Sequence, residues 1–183
     1  KDINQACRRV LEAKYKLGLF ADPYKHCSMT EEQQAQHIFT QEHRQAARNF
    51  TAETFVLLKN DRQLLPLSKQ GKIALIGPLA DTRSNMSGTW SVAATPDRYS
   101  SLRESMEKAL DGKATLLYAQ GCNVVYDEQE QKDGELGKTI ARGDDAQMEA
   151  EALEVARQAD VIVCAMGETA DMSGECASRT DLR

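Results

Sequence analysis

The sequence predicts an α/β fold, a parallel sheet with helices on its faces. Three apolar runs carry the prediction: "KIALIG" at 72–77, "ATLLYAQG" at 114–121 and "DVIVCAMG" at 160–167, each ending on glycine. Amphipathic or helix-like stretches separate them. From residue 72 the order is therefore strand, helix, strand, loop, helix, strand, the alternation that builds a parallel layer. The first run is continuously apolar, as in a strand covered on both sides. Ligands in such sheets bind beyond the carboxyl ends of the strands. Three segments leave those ends, "GPLADTRSNMSGTWS", "GCNVVYDEQ" and "GETADMSGECASR".

The elements follow in order. Residues 2–17 read as a helix with Asp2 as cap, Ile3, Val10, Leu11 and Leu17 at approximate helical spacing, and Gly18 placed to stop it. Asp22-Pro23 marks a turn. A long helix is expected over 31–58, polar and exposed in its first half, apolar at Phe55, Val56, Leu57 and Leu58. Residues 60–67 form a connector with Pro66 as breaker. After the first strand, "PDRYSSLRESMEKAL" at 96–110 reads as a helix with Pro96 near its start. The charged, Gly-bearing stretch 127–145 reads as a surface loop or insertion. Residues 145–159 form an amphipathic helix that puts Met148, Ala152, Val155, Ala156 and Ala159 on one face. Three strands with no closing helix make a poor independent layer, so the chain is expected to be part of something longer.

Composition narrows the function classes. The chain has 183 residues, a net charge of −5, 28% charged residues and 5% aromatics. It has no basic stripe, which argues against a nucleic-acid groove. No apolar run approaches the roughly 20 residues of a membrane span. The N-terminal "KDINQACRRV" lacks the apolar core of a secretory signal. Cys7, Cys27, Cys122, Cys164 and Cys176 are odd in number, with no C-x-x-C spacing. A zinc or redox motif is not expected. Cys164, inside the third apolar run, is expected in the core. Cys176 reads as an inert thiol by default. No G-x-G-x-x-G, Walker or G-x-S-x-G pattern occurs.

Two features bear on chemistry. The loop after the third strand packs Glu168, Asp171 and Glu175 together. Paired-carboxylate catalysis needs one acid that holds its proton and another that is ionised. The plain alternative is a solvated acidic loop in which Arg179 pairs Glu175 or Asp171. Trp90, the only tryptophan, lies on the loop after the first strand. There it suits stacking against the C–H face of a sugar, or it is a ring buried for its area. His43-Arg44, on a polar helix with no nucleophile nearby, reads as surface or structural.

Taken together, the segments resemble glycoside hydrolase family 3, the β-glucosidase and β-xylosidase family, especially its periplasmic bacterial members. "ACRRVLEAKYKLGLFADPY" is similar to the helix closing the family's N-terminal (β/α)8 barrel. "HRQAARNFTAETFVLLKNDRQLLPL" resembles the linker into the second domain. "KIALIGPLAD" and "GTWS" resemble the first strand of the α/β sandwich and the loop after it. "VIVCAMGETADMSGECASRTDL" resembles the family's G-E…G-E-x-x-S-R-x-x-L segment.

The resemblance implies a partial three-layer α/β sandwich with parallel strands, preceded by helices from the barrel's end and linker. It divides the chain into a barrel-closing helix and exit at 1–25, a linker at 26–70 and the first part of the second domain at 71–183. It implies retaining hydrolysis of β-glucosyl or β-xylosyl groups from oligosaccharides, without a cofactor or metal, in a periplasmic or secreted protein. In the family, the barrel gives the Asp nucleophile and the second domain lends the acid/base. Glu175 resembles that acid/base by its place in the motif. Glu168, just off the strand, looks structural or subsite-shaping, and with Trp90 and Arg179 makes up the expected substrate-binding set. A general acid must hold its proton through burial or a neighbouring anion. An arginine beside it works the other way, so Arg179 is expected to face another carboxylate or the linker. The family's S-D-W-like nucleophile segment does not occur in these 183 residues. The expected partners are a β-glycoside and the barrel of the same protein. Two other readings remain open, a non-catalytic α/β carbohydrate-binding or interaction module and a flavodoxin-like nucleotide binder.

Overall fold

A computed structural model describes residues 1–27, 29–91, 95–125, 128–129, 140–175 and 177–178. The chain divides into two units, Lys1–Leu64 and Leu65–Arg183.

The first unit is helical. Helix α1 spans Asp2–Lys16. Asp2 does not cap it: Lys1 holds the N-cap position and makes no side-chain cap bond. Gly18 does end it, with φ +74, a left-handed conformation that glycine takes without strain. The Leu19 N–H donates to the Lys14 carbonyl as the helix closes. The expected single helix over 31–58 is instead two, α2 over Glu31–His37 and α3 over Gln41–Thr54. Thr30 caps α2 in a capping box with Gln33, and Thr40 caps α3 by accepting from the His43 N–H at 3.2 Å. Two strong N-caps ten residues apart impose two starts, and Phe39 at φ +60 makes the break between them. Residues 55–58 lie outside the helix, so the apolar run Phe55–Leu58 is not helical. No residue of α1, α2 or α3 is buried.

The second unit holds the sheet. Strands β1 (Lys72–Ile76), β2 (Thr115–Ala119) and β3 (Val161–Cys164) pair in parallel in the order β2-β1-β3. Helix α4 (Leu102–Leu110) connects β1 to β2, and α5 (Asp145–Gln158) connects β2 to β3. Pro96 sits in a separate short turn, Pro96–Arg98, because Ser101 starts α4 with its own capping box. The central strand is the core: Ile73, Ala74 and Leu75 are almost fully buried. The Arg103 guanidinium of α4 lies 4.5 Å from the Tyr118 ring centre, and Tyr118 pairs with Leu75. Ala152 of α5 approaches Gly121 beside Ile76 on the other face. The two helices thus cover opposite faces, which is why β1 reads as continuously apolar. Met148 is buried and Ala152, Val155, Ala156 and Ala159 half-buried, the face expected of α5. Cys164 is exposed rather than in the core. It lies on β3, where burial alternates along the strand, so only one of its faces is covered.

Candidate active site

The chain leaves β1 toward β2 on one side, and the next crossover returns past β1 to β3 on the other. The order therefore reverses between β1 and β3. In open parallel sheets that reversal opens a crevice at the carboxyl ends, where ligands bind. The loops that leave β1 and β3 carry Trp90 and Glu175.

Three sets of contacts build this edge. At its base the Ala165 N–H donates to the Ile76 carbonyl at 2.8 Å. Gly77 follows at φ +146, and a Cβ there would stand 2.2 Å from the Ala165 carbonyl oxygen. Only glycine lets the β1 chain turn away so close to β3. The near half of the β1 loop is anchored on α4. Asp81 accepts from Ser101 Oγ and from Arg103 Nη1, each at 3.0 Å, and Arg83 forms a forked pair with Glu104. The far half is tied to the β3 loop. Thr89 Oγ1 donates to the Ala170 carbonyl and lies 3.1 Å from the Ser173 carbonyl. The Ala170 N–H donates to Asn85 Oδ1 at 2.6 Å.

Trp90 stands 72% exposed beyond this clamp, so it is not a ring buried for its area. Its Cζ2 would lie 3.9 Å from a Cβ on Gly174, which places the indole beside the residue that precedes Glu175. Glu175 and Glu168 are both exposed. The structure thus brings Trp90 to the chain segment that bears Glu175. Glu168 leaves the end of β3 earlier on the same loop. Arg179 and Cys176 lie outside the described residues. A separate open depression beyond β2 is lined by Gly121, Cys122, Asn123, Arg142, Asp145 and Glu149 and holds none of the predicted site residues. There burial, and secondarily Asp145, push the Cys122 thiol up. No group of His, Cys, Asp or Glu suited to a metal ion occurs among the described residues.

Residues 55–183 match the Glycosyl hydrolase family 3 C-terminal domain. The chain belongs to this family. A periplasmic beta-glucosidase of Salmonella typhimurium is 36% identical over 185 residues, taking in 99% of this chain and 24% of that protein. A beta-xylosidase of Formosa agariphila is 33% identical over 189 residues, taking in 100% of this chain and 23% of that protein. The chain thus spans about a quarter of the length of these curated relatives. Among solved structures, a beta-glucosidase from Listeria innocua in complex with glucose superposes with a TM-score of 0.65 at 27% identity, covering 91% of this chain and 19% of that one. A beta-glucosidase involved in saponin metabolism from intestinal bacteria gives 0.67 at 28% identity, covering 94% and 25%. The parallel α/β layer is the fold these family members share with this chain.

Reading the sequence alone did not single out Asn85, Thr89 or Asp81. Each is held by a bond to a residue 20 to 85 positions away, a distance that no local pattern encodes. The one signal available was the hydroxyl residue next to the lone tryptophan in "GTW".

Proposed function

We propose that this chain contributes the acid/base side of a retaining β-glycosidase, with Glu175 as the general acid and then the general base. The observation that carries the reading is placement. Glu175 lies exposed on the β3 loop at the sheet's reversal point, next to an exposed Trp90 held by the neighbouring β1 loop. An acid/base lent to another domain must be presented outward on a fixed loop, and this loop is both exposed and tied down. Relatives named as a beta-glucosidase and a beta-xylosidase support the reaction class and its terminal β-D-glucosyl or xylosyl substrates.

In the first step Glu175 protonates the departing glycosidic oxygen while a nucleophilic carboxylate attacks the anomeric carbon. In the second it takes a proton from the water that releases the sugar. The nucleophile comes from barrel residues outside these 183, and the two carboxyls close to about 5–5.5 Å, as in retaining enzymes. Trp90 stacks on the sugar, and Glu168 and Arg179 shape the subsite. Residues 1–25 close the barrel and 26–70 link it to the sandwich. The exposed apolar side chains of the first unit, among them Ile3 at 79% and Leu58 at 92%, support a covering domain. The name of the Salmonella relative supports a periplasmic or secreted location.

The test is Glu175→Gln in the full-length protein. Loss of a general acid/base is expected to cost roughly 10²- to 10⁴-fold in turnover of an unactivated glycoside. Azide is expected to restore turnover of an activated aryl glycoside, since it attacks without a base. Unchanged activity would rule out Glu175.

A further inference from the structure

The geometry points to Thr89 as a positioning residue for the acid/base, acting with Asn85 across the gap between the β1 and β3 loops. This rests on the reading of Glu175 given above. Thr89 donates its one hydroxyl proton to the Ala170 carbonyl, and the Ser173 carbonyl at 3.1 Å and Ser173 Oγ at 3.3 Å surround the same oxygen. Asn85 accepts from the Ala170 N–H at 2.6 Å. Two side chains of one loop thus hold both backbone polar groups of Ala170, five residues before Glu175. The contact is close as well as polar. A Cβ on Gly174 would stand 2.6 Å from Thr89 Cγ2, and Gly174 has φ +107. Glycine there lets Thr89 sit directly against the chain that carries Glu175.

The near half of the same β1 loop is held for an independent reason. Asp81 and Arg83 fasten it to the first turn of α4 through Ser101, Arg103 and Glu104. Position is thereby transmitted from α4, through the β1 loop, to the acid/base. Trp90, the next residue after Thr89, rides on the same support. One threonine therefore sets both the carboxyl that protonates the leaving group and the ring beside it.

The experiment uses the full-length protein and two substrates, one with a sugar or alkyl leaving group and one with dinitrophenolate. A misplaced acid penalises only the leaving group that needs a proton. Thr89→Val is expected to lower kcat/KM for the unactivated glycoside by roughly 10- to 100-fold, the scale of a misplacement of about 1 Å, and to change the dinitrophenyl glycoside little. Thr89→Ser, which keeps the hydroxyl, is expected to restore the unactivated substrate. Asn85→Ala is expected to show the same selective loss more weakly, and serves if the valine variant does not fold. In the Glu175→Gln background Thr89→Val is expected to add nothing, because residues that act as a unit are non-additive. If Glu175→Gln is impaired but neither Thr89→Val nor Asn85→Ala separates the two substrates, the positioning role is overturned and the acid/base reading stands. An equal loss on both substrates, or no recovery with serine, also overturns it, since a merely structural role does not sense the leaving group. Full activity of Glu175→Gln removes the acid/base reading itself, and the positioning role with it.

Discussion

Thr89, Gly174 and Trp90 show how few atoms define this site edge. The Thr89 methyl and the Trp90 ring both stand against Gly174, and the Thr89 hydroxyl bonds Ala170, so the two loops meet although they lie more than 80 residues apart. At 72% exposed, Trp90 is not a core ring. A ring that exposed contributes little to the core, so Trp90→Ala is expected to change stability by no more than about 0.5 kcal/mol. The same variant is expected to raise KM for a β-glycoside in the full-length protein. Thermal melting and steady-state kinetics read the two effects separately. A large loss of melting temperature with unchanged KM would return Trp90 to a packing role.

Within the elements, capping decides more than apolar periodicity does. Thr30, Thr40 and Ser101 each start a helix by accepting a backbone N–H, and the Thr40 start splits the stretch 31–58 that reads as one longer helix. Ser101 does more. It is 1% exposed, caps α4 and donates to Asp81, so one side chain fixes both a helix start and the β1 loop. Its capping partner Glu104 is also the ion-pair partner of Arg83. The side-chain hydrogen bond from Arg83 comes first, and the Ser101 N–H second, in holding the Glu104 carboxyl below its usual value. A carboxyl lowered in the folded state stabilises the fold above its unfolded pKa, and that stability is lost as pH falls through the folded value. The melting temperature is therefore expected to drop on acidification below the ordinary glutamate range near 4.3. Glu104→Gln is expected to flatten that drop, measured by thermal melts from neutral to acidic pH. An identical slope in the variant would show that other carboxylates carry the effect.

For the molecule as a whole, the two units differ in kind. The second unit has a buried centre in Ile73, Ala74 and Leu75, whereas the helices of the first bury nothing. If the nucleophile belongs to a barrel outside these residues, then residues 1–183 expressed alone are expected to show no turnover of an aryl β-glucoside, while the full-length protein does. Turnover by the isolated chain would place a complete carboxylate pair within it. Added nucleotide is expected to leave its melting temperature unchanged, and a rise would favour the nucleotide-binding alternative.

The sequence by itself determined the α/β class, the three strands and the glycines that end them, because strand periodicity and glycine punctuation are local. It determined the family too, through motifs in "KLGLFADPY", "VLLKN" and "GECASR". The split of residues 31–58 was also within its reach, since Thr30-x-x-Gln33 and Thr40 are local capping signals. Only the tertiary structure decided the strand order β2-β1-β3, the exposure of Cys164 on β3 and of Trp90, and the clamp of Thr89 and Asn85 on Ala170. Each of these depends on which segments meet across long stretches of chain. That is fixed by how helices cover the two faces of the sheet, and no spacing along the sequence encodes it.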